Sequence, residues 1–133
     1  MDYLLDTDTC IALIKQKSRR ALDRLLGLPV GAVGISSITL AELLYGVAKS
    51  EHKDRNKLAL KEFLLPLEIA DFDAKAAEAY GPVRAGLEKD GKPIGPLDTQ
   101  IGAHALSRGV VLVTHNTREF RRIPKLKLAD WIG

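Results

Sequence analysis

The chain has 133 residues, 46% of them hydrophobic and 28% charged, the balance of an ordinary globular protein and not of a disordered or fibrous one. That length suits a single domain over 1–133, able to bury roughly two-thirds of its unfolded surface. A net charge of +3 is a mild bias towards polyanions, and the single cysteine, Cys10, excludes an intrachain disulfide framework and fits a reducing cytoplasm. The N-terminus lacks the basic-then-apolar pattern of a signal peptide, and no apolar run is long enough to span a bilayer, so a cytoplasmic protein without a membrane partner is expected.

In chain order, residues 3–5 read as a short strand followed by a helix over 7–17, with Cys10, Ile11, Leu13 and Ile14 on one side. A short helix over Arg19–Leu26 is closed by Gly27 and Pro29. "AVGIS" (32–36) reads as a buried strand, and Ile38, Ala41, Leu44, Tyr45 and Ala48 set the period of the helix after it. Helix 52–65, strand 67–70 and a helix from Asp73 towards Lys89 follow; Gly81-Pro82 is expected to kink or break the last. Pro96 starts a helix through Ser107, with Gly109 as its C-cap. "VVLV" (110–113) has the fully apolar character of a buried parallel strand, and "KLKLADW" alternates as an edge strand does.

Strands alternating with helices predict an α/β sandwich around a parallel sheet, in which ligands bind beyond the carboxyl ends of the strands. The polar residues at those ends are Asp6, Ser36 and Ser37, and Thr114, His115 and Asn116. Three acids sit at helix starts and each has a plain structural explanation. Asp6 stands where an N-cap belongs. Thr39-Leu-Ala-Glu42 fits a capping box, unless the helix begins at Ser36 or Ser37, which would place Glu42 too far in to reach back. Asp98 lies in the first turn after Pro96, where the helix dipole favours negative charge.

All three helix starts can point to one sheet edge, which gathers Asp6, Glu42 and Asp98 in a single cleft. Two carboxylates about 4 Å apart repel by roughly 4 kcal/mol at an effective dielectric near 20. Such convergence calls for a cation. Hard oxygen donors without a Cys or His cluster select Mg²⁺, with Mn²⁺ able to substitute, and such ions support attack of water on phosphate. Lys15, Lys17, Arg19, Arg20, Arg118, Arg121 and Arg122 are candidates for a basic rim.

At these residues the sequence resembles the PIN-domain ribonucleases, specifically VapC-type toxins of toxin–antitoxin pairs. The matching pieces are "LLDTDTCIALI", "ISSITLAELLYGV", "GKPIGPLDTQIGAHALSRG" and "LVTHNTREFRRIPKLKLADW", which occur in the family's order along the whole chain. The resemblance implies a PIN fold (three layers, α/β/α) and a Mg²⁺-dependent endoribonuclease, with a structured tRNA as the expected substrate. It carries the metal-binding role onto Asp6 and Asp98 and the third acid onto Glu42. It also implies a homodimer, a VapB-type antitoxin that covers the site, and contact with DNA only through that antitoxin. Many PIN domains have an aspartate where this chain has Asn116; Glu119 supplies the fourth acid if the segment turns helically.

Cys10 is expected to be packing, His104 a satisfied structural histidine, Trp131 an anchor for the C-terminal strand, and Gly102 with Ala103 a close-packing surface. His115 lies nearer the cleft. The run "YLLDTDT" also fits the DxDxT signature of haloacid-dehalogenase-like phosphatases, with Asp6 as nucleophile, but "THNTREF" lacks that family's late acidic pair. The alternative in another class is a catalytically silent PIN-like module that binds RNA or protein. It would hold RNA equally well without Mg²⁺.

Overall fold

The computed structural model describes residues 1–133. Five strands, β1 (Tyr3–Leu5), β2 (Val33–Ser36), β3 (Glu68–Ala70), β4 (Val111–Val113) and β5 (Leu128–Ala129), are joined by seven helices. These are α1 (Thr7–Ile14), α2 (Arg19–Leu26), α3 (Ser37–Lys49), α4 (Lys53–Leu64), α5 (Ala74–Lys89), α6 (Pro96–Arg108) and α7 (Thr117–Phe120). All pairings are parallel and the sheet order is β3-β2-β1-β4-β5.

Period-2 alternation divides the apolar residues between two faces of this sheet. Leu5, Ile35 and Val113 belong to one core cluster with Cys10, Leu13, Ala21, Leu43 and Leu60, under the first four helices. Leu4 and Leu112 belong to the other, with Val83, Leu87, Ile101, Ala103 and Phe120 from α5, α6 and α7. The result is the three-layer α/β/α arrangement expected.

Most elements match their expected positions, and the differences have local causes. Helix α1 stops at Ile14 because Gln16 takes a left-handed φ of 52°. Helix α5 passes through Gly81-Pro82 instead of breaking. Pro82 and Glu78 both face solvent, so the carbonyl of Glu78 that loses its helical partner can be satisfied by water. Ser36 caps α3 by accepting from the Ile38 amide at 3.1 Å, so the Thr39–Glu42 capping box does not form. Gly109 closes α6 at φ 65°, a conformation that costs glycine little. Strand β5 is shorter than the alternation of "KLKLADW" implies, but it does lie at an edge.

From β1 the chain builds outwards through β2 to β3, then returns to place β4 on the other side of β1. That reversal makes the β1–β4 boundary the switch point where open α/β sheets bind their ligands.

Candidate active site

Asp6 leaves β1 at this boundary. Its amide donates to the Val113 carbonyl at 3.0 Å, and its side chain is 3% exposed. Oδ1 accepts from the Thr9 amide at 2.9 Å, so Asp6 is the N-cap of α1. That cap uses one oxygen only. Burial raises the Asp6 pKa above the usual carboxylate value, and hydrogen bonds from Thr114 and Thr9 act in the opposite direction.

Glu42 and Asp98 have no capping duty. With α3 starting at Ser37, Glu42 is a full turn and a half inside the helix. The Thr7 hydroxyl donates to its Oε1 at 2.6 Å and lies 3.3 Å from the hydroxyl of Thr39. Asp98 is the third residue of α6, after Pro96 at the first position. The turn beneath it is closed by other atoms: Thr99 N and Oγ1 donate to the Gly95 carbonyl at 2.9 and 2.8 Å.

Helix α6 runs antiparallel to the strand it feeds, so its first turn lies at the same sheet edge as the end of β1. The Asp98 pKa records this convergence. It is pushed up to about 6, first by burial and then by the negative charges of Asp6, Glu42, Asp8 and Glu119. Glu119 is on the short helix α7, as helical turning of the segment requires, and its Oε2 accepts from Asn116 Nδ2 at 3.0 Å. Asn116 therefore holds the fourth acid instead of replacing it.

Asp8 is the member that sequence reasoning missed. It is exposed in the first turn of α1, two residues beyond Asp6, and its spacing within "DTD" was the available signal. The chain's Arg–carboxylate pairs are Arg19–Asp23, Arg84–Glu88 and Arg108–Glu68, and His115 meets Asp130. None of them involves the five acids at the edge. Without an ion the acids feel one another's charge, but no three His, Cys, Asp or Glu side chains form a closed metal cage. The donors present are all carboxylate oxygens, one buried, three half-exposed and one exposed, and uncompensated by any cation, a set that suits Mg²⁺ or Mn²⁺.

Other residues at the edge have structural work. His115 Nδ1 meets Asp130 Oδ2 at 3.0 Å, and Asp130 also accepts from the Ile132 and Gly133 amides. Cys10 is fully buried, and Trp131, 5% exposed, packs edge-on against Tyr3. His104 departs from expectation: Nδ1 meets Ser36 Oγ at 2.8 Å, but the buried Nε2 has no partner. Burial lowers its pKa and keeps it neutral. Of the basic rim, Arg19 is paired with Asp23, while Arg20 and Arg122 donate to the carbonyls of Gly133 and Pro93.

Residues 3–126 match the family model described as PIN domain. The chain is 45% identical over 131 residues to the tRNA(fMet)-specific endonuclease VapC of Salmonella typhimurium, covering 98% of each. It is similar to a chain in the crystal structure of DNA-bound VapBC from Salmonella typhimurium, with a TM-score of 0.93, 45% identity and 98% of each chain covered. Similarity extends to a chain of VapBC2 from Rickettsia felis bound to a promoter DNA fragment, with a TM-score of 0.92, 42% identity, and 98% of this chain and 99% of that one covered.

Proposed function

The chain belongs to the PIN-domain family, and from that premise we propose that it is an endoribonuclease toxin that cuts tRNA(fMet) with Mg²⁺ and is neutralised by a VapB-type antitoxin. One observation carries this reading: at the switch point of a basic protein Asp98 feels the charges of Asp6, Glu42, Asp8 and Glu119, and none of the five acids is paired with a cation. The substrate and partner follow from the relatives, one a tRNA(fMet)-specific endonuclease and others seen as VapBC complexes on DNA. DNA contact would come through the antitoxin, and the active species is a homodimer.

Asp6 and Asp98 would hold the ion. When bound, Mg²⁺ supplies positive charge against the scissile phosphate and lowers the pKa of water; Mn²⁺ can do the same. Glu42, fixed by Thr7, orients the attacking water for in-line displacement. Glu119, fixed by Asn116, accepts a proton or contributes to a second ion site. The products are a 5′-phosphate and a 3′-hydroxyl.

The test is incubation of the purified chain and its Asp98→Asn variant with total cellular RNA, in Mg²⁺ and in EDTA, with mapping of new ends. Discrete cuts in tRNA(fMet) that need both Mg²⁺ and Asp98 are expected. A 2′,3′-cyclic phosphate end would contradict attack by water. RNA bound equally with and without Mg²⁺ but left intact would make the protein a silent binding module.

A further inference from the structure

A cavity of about 560 Å³ opens between α1, α3 and α4. Thr7, Asp8 and Glu42 line it, so it is continuous with the acid edge. A nucleotide next to a phosphate held at those acids would lie within reach of the mouth of this cavity. The volume lies within the roughly 300–1,000 Å³ of small-ligand sites. Ile11, Ile14, Leu43, Val47 and Leu60 give it apolar walls.

Three features distinguish the cavity from a packing defect. Gly46 contributes to its lining, and a methyl group added there would meet nothing within 4 Å. Asn56 lines the cavity; its backbone amide donates to the His52 carbonyl at 2.9 Å within α4, and its side-chain amide makes no hydrogen bond within the chain. At the rim, Tyr45 is 66% exposed, and Lys49 Nζ lies 4.9 Å from its ring centroid. Lys15 lines the cavity from α1.

Apolar walls, an unengaged amide, an exposed aromatic ring and two lysines beside a phosphate-cutting edge match the chemistry of an unstacked RNA nucleotide. Single-stranded RNA is read by splaying its bases out, stacking them on aromatic rings and hydrogen-bonding their edges. We propose that this cavity seats one unstacked nucleobase adjacent to the scissile phosphate, with Asn56 reading its edge and Tyr45 stacking at the rim. The inference rests on the nuclease reading above and adds a specificity-determining residue to it. Lys15 and Lys49 hold the flanking phosphates.

The test uses a hairpin RNA library with a randomised loop, cut in Mg²⁺ by the full chain and by the Asn56→Ala, Tyr45→Ala and Gly46→Leu variants. Base frequencies are read at every position flanking the cut, and folding is checked by circular dichroism. The parent chain is expected to favour one base at one flanking position. Asn56→Ala flattens that preference by about 5- to 100-fold, the range of a lost bidentate contact to a base, and leaves the other positions alone. Tyr45→Ala raises KM for every sequence without altering the preference, and Gly46→Leu blocks cutting of all sequences. An unchanged preference in folded Asn56→Ala overturns the inference while leaving the nuclease reading intact, as does a parent chain that cuts with no flanking preference. RNA left uncut by the parent chain overturns both. Cutting and preference unaffected by Gly46→Leu, together with loss of VapB-type partner binding, would assign the cavity to protein recognition and overturn it as well.

Discussion

Two groups of acids in this protein stand in contrast. Around the periphery, Asp23, Glu88, Glu68 and Asp130 each face Arg19, Arg84, Arg108 and His115 respectively. At the carboxyl edge of the sheet, Asp6, Asp8, Glu42 and Glu119 put their negative charge on Asp98, and none of the five has a cationic partner. With a net charge of +3, the chain has basic residues enough to have paired them. The paired acids lie on the surface of the fold, whereas the acids at the edge put their like charges on one buried-edge carboxylate, Asp98.

This contrast is broken most severely by Asp98→Asn. RNA cleavage is expected to fall by at least about 100-fold. The apo protein should gain stability at pH 7, by about 1–2 kcal/mol once solvent screening is allowed for. Activity lost with stability gained, measured by cleavage and thermal melting, is the pattern expected of a site; joint loss would indicate a structural acid. Next in size is Mg²⁺ itself: at 100 times its Kd it should stabilise the parent chain by about 2.7 kcal/mol and Asp98→Asn far less, read by melting with and without EDTA.

The pH dependence follows from the raised Asp98 pKa of about 6. Below that value the folded chain keeps a proton that the unfolded chain releases. The Asp98 contribution to stability is therefore present at low pH and is lost as pH rises through about 6. Cation binding has the opposite sign and should weaken about tenfold per pH unit below 6, measurable by calorimetry. A smaller effect is expected from Thr7→Val, which removes the hydroxyl that holds Glu42: a drop of about fivefold or more in kcat with the melting temperature nearly unchanged. Smallest is Arg84→Ala at an exposed peripheral pair, which should alter neither melting nor cleavage.

Much of the fold was legible because buried parallel strands are short apolar runs and the helices between them carry clear periods. Asp6, Glu42 and Asp98 were legible as helix-start acids, but whether they served as caps was not. Ser36, Ser37 and Thr39 are three competing hydroxyls at one helix start. Only the structure selects Ser36 as the cap and thereby frees Glu42. Continuity of α5 through Pro82 depended on which side faced water, and the missing partner of His104 Nε2 depended on what packed around it. The cavity bounded by α1, α3 and α4 was invisible because it is a product of helix placement, with Asn56 on a helix that carries none of the acids at the sheet edge.

Gly102 sits mid-helix in α6, where alanine would favour the helix by about 1 kcal/mol. A methyl group there would run into Ile123, with the Phe120 ring just beyond at 3.5 Å. Those two residues flank the end of α7, and α7 carries Glu119. One absent methyl group thus acts as a gauge block between the helix of Asp98 and the turn of Glu119. A change that improves the helix by every local measure would press on Ile123, just beyond the turn that carries Glu119. The site is therefore vulnerable to a substitution that contains no charge, lies outside the cleft and looks beneficial.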